Sequence, residues 1–155
     1  MIKMLVMDVD GTLTDGKIYI SNTGEAMKAF NAHDAVGVRK LKKYDIIPVI
    51  ITGRESEIVS IRAKEMNMDL NYVFQNVNNK VMKLKEVAET NGISLKDVAY
   101  IGDDENDLEC FKICGFTGCP NDAMEIIKKR SDYISKYKSS EGAVRDIIEY
   151  IIKHK

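Results

Sequence analysis

The chain has 155 residues, enough for one domain, and it can bury a core without disulfide or metal staples. Its 23 basic and 24 acidic residues leave a net charge of -1, which argues against nucleic acid or another polyelectrolyte as partner. No apolar run approaches the roughly 20 residues of a membrane span, no secretory leader pattern opens the sequence, and a cytoplasmic protein without membrane contact is expected.

The first predicted strand, Met4-Leu5-Val6-Met7, runs directly into the acidic, glycine-opened turn Asp8-Val9-Asp10-Gly11-Thr12. Next, Lys17-Ile18-Tyr19-Ile20 and Ala26-Met27-Lys28-Ala29-Phe30 flank Ser21-Asn22-Thr23-Gly24-Glu25, a hairpin pattern. Its Ile18, Ile20, Met27 and Phe30 are more apolar surface than a lone ribbon can bury. Either the hairpin folds onto its own domain or a second chain covers it. A helix opened by Asn31-Ala32-His33-Asp34 follows, with Val36, Val38 and Leu41 expected inside.

Ile46 to Ile51 is the next strand, ending in Thr52-Gly53-Arg54, and a helix is expected over Glu55 to Met68. Val73-Phe74 is a short strand. Lys80 opens a helix whose apolar Val81, Leu84, Val87 and Ala88 recur at helical spacing, and Asn91-Gly92 stops it. Val98 to Ile101 ends in Gly102-Asp103-Asp104-Glu105-Asn106-Asp107. Helices over Asp104 to Ile113, Asp122 to Lys129 and Ala143 to Ile152, with a strand at Phe116 to Cys119, complete the reading. Cys110, Cys114 and Cys119 lack a second short-spaced cluster or a nearby His, so buried reduced thiols are expected and not a zinc site.

This β, α alternation predicts a three-layer, Rossmann-like α/β fold, a parallel sheet with helices on both faces and a protruding β-hairpin. Residues 1–155 read as one domain. Between Ile20 and Ala26, and between Thr52 and Lys80, there is no room for an inserted cap domain of ordinary size. In such a sheet the carboxyl ends of the strands face the ligand crevice. Asp8, Asp10, Thr52, Asp103 and Asp107 would then converge on one edge, with Lys80 reaching in from a helix start.

Clustered carboxylates repel unless a cation offsets them. Hard oxygens from Asp8, Asp103 and the backbone carbonyl of Asp10 suit Mg²⁺, which keeps waters or phosphate oxygens as further ligands. Thr52 and Lys80 bring a hydroxyl and an ammonium, both phosphate-binding groups. The set fits phosphoryl transfer, with Asp8 as nucleophile, Asp10 as general acid and base, and amides around Gly11 cradling the phosphate.

Together these segments resemble the motifs of the haloacid dehalogenase superfamily of phosphatases, in order and at suitable spacing. The resemblance implies that Asp8 is nucleophile and metal ligand, Asp10 acid/base and ligand, Thr52 and Lys80 phosphate binders, and Asp103 metal ligand. Asp104, Asn106 and Asp107 would lie in the outer metal shell or orient Lys80. Phe30-Asn31-Ala32-His33-Asp34, Thr52-Gly53-Arg54, Gln75 through Lys80 and Gly142-Ala143-Val144-Arg145 resemble the capless group of phosphatases that act on 3-deoxy-D-manno-octulosonate 8-phosphate. That resemblance implies a homotetramer whose hairpins associate between subunits, and a phosphorylated sugar acid contacted by Gly53, Arg54, Asn31, His33 and Asp34. His33 stands where the group commonly has Arg, and Ser139-Ser140 where its tail has glycines. A nonulosonate 9-phosphate phosphatase is the alternative substrate reading. A receiver-like domain or a cytidylyltransferase-associated module is the alternative of another class. A receiver carries its acidic residues first, its phosphoacceptor on a middle strand and then Thr and Lys, whereas here the Asp-x-Asp pair comes first and the acidic Gly102-Asp103-Asp104 follows Lys80.

Overall fold

The structure is a computed structural model and describes residues 1–154. Strand β1 (Met4–Met7) lies at the centre of a six-stranded sheet. The chain builds outward from it twice. On one side lie β4 (Ile47–Ile51) and β5 (Val73–Phe74), and on the other β6 (Val98–Ile101), β7 (Phe116–Cys119) and β8 (Tyr133–Ile134), giving the order β5-β4-β1-β6-β7-β8. Every neighbouring pair in this sheet is parallel. The separate antiparallel hairpin is β2 (Tyr19–Ser21) and β3 (Gly24–Met27), with a register shift between Tyr19 and Ile20.

Side chains alternate across the pleat and so build two cores. Leu5, Met7, Ile50, Ala99, Ile101 and Phe116 point to one face, where α1 (Ala32–Leu41), α2 (Glu57–Glu65) and α6 (Ala143–His154) cover them. Met4, Val6, Val49, Ile51, Val98 and Tyr100 point to the other, under α3 (Lys80–Thr90), α4 (Leu108–Phe111) and α5 (Glu125–Lys128). The strands are buried on both faces, which is why their sequences are almost continuously apolar. In α6, Val144, Ile147, Ile148 and Ile151 are buried at helical spacing.

Several expected boundaries move for local reasons. In α1 the inward face is Ala35, Val38 and Leu41, and Val36 is exposed. Ser56, in extended backbone, caps α2 by accepting from Ile58 N, so that helix starts after Glu55, and Asn67 at φ 57° lies beyond its end. The segment after Asp104 is a 3-10 turn over Glu105–Asp107 before α4 begins. Asp122 precedes α5 because its carboxylate accepts from Ser139 N and Oγ, tying down the tail loop. Strand β8 was not expected, its two residues being too short to carry a period. Phe30 is not loose apolar surface, since it packs against the α1 side of the core beneath the Arg62 guanidinium.

Candidate active site

Asp8 follows β1 directly, and its amide donates to Ile101 O at 3.0 Å, carrying the parallel ladder one step past the strand. Asp8 as a whole is 5 % exposed. Beyond it the amides of Thr12, Leu13 and Thr14 all turn back onto Val9 O, which loops the chain out at Asp10 and Gly11. Gly11 sits at φ 81°, and a side chain there would collide with the Asp103 carboxylate. Glycine therefore lets the β1 loop and the β6 loop approach each other.

Lys80 is the first residue of α3, whose N-cap Asn79 accepts from Met82 N. Its Nζ donates to Asp8 Oδ1 at 3.0 Å and to Asp107 Oδ1 at 2.8 Å. Burial opposes the ammonium charge, but the carboxylates of Asp8 and Asp107 outweigh it and hold the lysine protonated. Asp107, fully buried, also accepts from the Tyr100 hydroxyl at 2.8 Å and from the amides of Asp103 and Asp104. It is thus a structural bracket that aims Lys80 and closes the turn after β6.

Asp103 has less to balance it. The Thr12 hydroxyl donates to it at 3.3 Å. Burial, then the neighbouring charge of Asp8, pushes its carboxyl up to about 9. Asp8 itself is raised to about 6 by burial and by Asp107, with Lys80 pulling back. Carboxylate oxygens of Asp8, Asp103 and Asp107 lie within 4.8 Å of one another. Buried acids driven towards protonation by each other are the donor set a hard divalent cation would relieve. Asp107 is already committed to Lys80 and Tyr100, so Asp8 and Asp103 are the ligands that fit such an ion.

A cleft of about 170 Å³ opens over these groups. Asp8, Asp10, Asp103, Asp104 and Asn106 line it together with Thr52, Gly53 and Arg54 from the end of β4. Thr52 is buried, its amide held by Phe74 O, whereas Arg54 is exposed. A larger hollow of about 590 Å³, between Val38, Pro48 and Tyr72, lies at the start of β4 and holds none of these groups.

Three predicted substrate contacts lie elsewhere in this chain. Asn31 caps α1 through His33 N and donates to Ser140 O. His33 borders a separate hollow with Tyr137 and Arg145. Asp34 is buried between α1 and α6, where its Oδ1 accepts from Arg145 N at 2.9 Å. Burial raises its carboxyl to about 6. Arg145 pairs with Glu149, and Arg54 pairs with Glu25 of the hairpin. Of the three thiols, Cys110 and Cys119 are buried and Cys114 is partly exposed, and burial lifts Cys110 to about 12.

Two charged residues beside the cleft carry no signal in the sequence. Lys28, just after β3, lies 2.7 Å from Asp10 Oδ1 and 3.0 Å from Glu25 Oε2. Glu25 also accepts from Ser56 Oγ at 2.6 Å. Both sit on a hairpin whose contact with the site exists only in three dimensions.

The profile of the haloacid dehalogenase-like hydrolase family matches residues 60–148. This chain belongs to that family. The hydrolase chain is 34% identical over 151 residues to the 3-deoxy-D-manno-octulosonate 8-phosphate phosphatase KdsC of Escherichia coli K12, covering 97% of this chain and 79% of that protein. It superimposes with a TM-score of 0.93 on the crystal structure of the phosphatase of that name from Yersinia pestis, at 34% identity over 98% of this chain and 81% of the other. The Moraxella catarrhalis structure, a complex with magnesium ion, phosphate ion and KDO, gives 0.93 at 39% identity, covering 98% and 86%.

Proposed function

We propose that this chain is a Mg²⁺-dependent phosphatase that releases phosphate from 3-deoxy-D-manno-octulosonate 8-phosphate. The observation that carries the reading is the buried Asp8–Lys80–Asp107 chain beside Asp103, in a fold matched by a relative holding magnesium, phosphate and KDO.

Mg²⁺ would be held by Asp8, Asp103 and the Asp10 carbonyl, where it neutralises charge on the phosphoryl oxygens. Lys80 holds Asp8 Oδ1 and leaves Oδ2 to attack phosphorus. The P–O bond to the sugar breaks as the Asp8–phosphorus bond forms, and Asp10 gives its proton to the departing sugar oxygen. Water then attacks phosphorus, Asp10 takes its proton back, and inorganic phosphate leaves with Asp8 restored. Thr52, Gly11 and Lys80 supply donors to the phosphoryl group. Arg54, exposed at the mouth, is suited to an anionic sugar acid.

The reading extends to a homotetramer. Ile18, Ile20 and Met27 leave an apolar surface on the hairpin that this chain does not cover, and a second copy's hairpin would bury it. Phosphate release with Mg²⁺ from octulosonate 8-phosphate, nonulosonate 9-phosphates and hexose phosphates tests the assignment. Preference for the octulosonate is expected. Equal, feeble rates on all of them would sink it.

A further inference from the structure

Lys28 reaches Asp10 from the hairpin with a side chain only 2 % exposed. Exposed ion pairs contribute little and rarely hold one geometry. This one is different, because a long stem is packed away to deliver a single charge to the rim of the cleft. Glu25 anchors the ammonium from the other side at 3.0 Å, and is itself held by Ser56 Oγ and the Arg54 guanidinium. Asp10 stands on an outward loop with its side chain 21 % exposed, and Lys28 grips it by Oδ1 alone. Oδ2 is the oxygen left to give or take a proton.

We infer that Lys28 is a positioning residue for Asp10, with Glu25 as its anchor. The inference rests on Asp10 being the acid and base of the reaction proposed above. A carboxylate on a loop samples several rotamers, and proton transfer in the transition state needs one of them. Lys28 supplies that restraint from an element that holds no part of the metal or phosphate site. Its effect runs through Asp10, so it belongs in kcat and not in substrate binding.

A kinetic double-mutant cycle with Mg²⁺ and octulosonate 8-phosphate tests it. Lys28→Met is expected to lower kcat about 10- to 100-fold, a part of what a positioned acid–base group provides, with KM within about 2-fold. Lys28→Arg restores most of the rate. In an Asp10→Asn background, removing Lys28 costs less than about 2-fold, because the group it positions is already gone. Lys28→Gln removes the charge but keeps a polar end, and serves in the same cycle where Lys28→Met fails a thermal unfolding check. Parent kcat in the Lys28 variants, or equal losses in both backgrounds, overturns the inference. An impaired Asp10→Asn beside an unimpaired Lys28→Met overturns it alone, whereas a fully active Asp10→Asn removes the proposed role of Asp10 as well.

Discussion

Lys80 donates to Asp8 at 3.0 Å, and both side chains are almost completely withdrawn from water. Asp107, on the other side of the same ammonium at 2.8 Å, is buried too. Removing one member of a buried charge set leaves the others uncompensated, at a cost of about 3 to 5 kcal/mol. Lys80→Met is therefore expected to lose that much stability by urea unfolding as well as its phosphatase rate. Parent stability in the variant would mean that the two acids find another counter-charge.

The Tyr100 hydroxyl tests the bracket without removing charge. Tyr100→Phe deletes the 2.8 Å bond to Asp107 and leaves the packing, including the edge contact with Phe111, in place. A hydrogen bond to a charged group contributes about 1.5 to 3 kcal/mol. Loss in that range, with kcat falling less than in Lys80→Met, is expected, and an unchanged unfolding curve would contradict the bracket.

Gly11 gives a test of the metal geometry. Gly11→Ala sets a methyl against the Asp103 carboxylate at a positive φ. Misplacing one ligand should weaken Mg²⁺ binding by at least about 10-fold, read by calorimetric titration. Parent affinity would exclude Asp103 as a ligand.

Asp34 carries the pH dependence that is independent of the metal. Burial raises it to about 6 from an ordinary 3.8, with the Arg145 amide and nearby cations pulling partly back, and its Oδ2 has no hydrogen-bond partner among the described residues. A folded-state value above the unfolded one means stability that is fully present below 3.8 and lost as pH rises through 6. Asp34→Asn removes this titration. At about 1.4 kcal/mol per unit, the difference between variant and parent should shift in the variant's favour by about 2 to 3 kcal/mol across that window. Parallel stability–pH curves would show that Asp34 is not the group responsible.

The sheet and the Asp8, Thr52, Lys80 and Asp103 edge are legible in the sequence because apolar runs and the residues that end them lie side by side in the chain. Asp107 could be placed near Lys80, but its bond to Tyr100 could not, since Tyr100 reads as an ordinary strand aromatic. Lys28 reads as one more charge on a ribbon, and only the folding of the hairpin over the β1 loop gives it Asp10 as partner. Asn31, His33 and Asp34 show the converse. Their motif suggests ligand contact, while in this chain they cap α1, border a separate hollow and receive the first turn of α6.

In the proposed reaction Asp8 takes the phosphoryl group. Acid-quenched enzyme turning over octulosonate 8-phosphate with Mg²⁺, digested and analysed by mass spectrometry, should carry one phosphoryl group on the peptide containing Asp8. Asp8→Asn should carry none and release no phosphate. An unmodified Asp8 peptide during turnover, or parent rates in Asp8→Asn, would contradict the account.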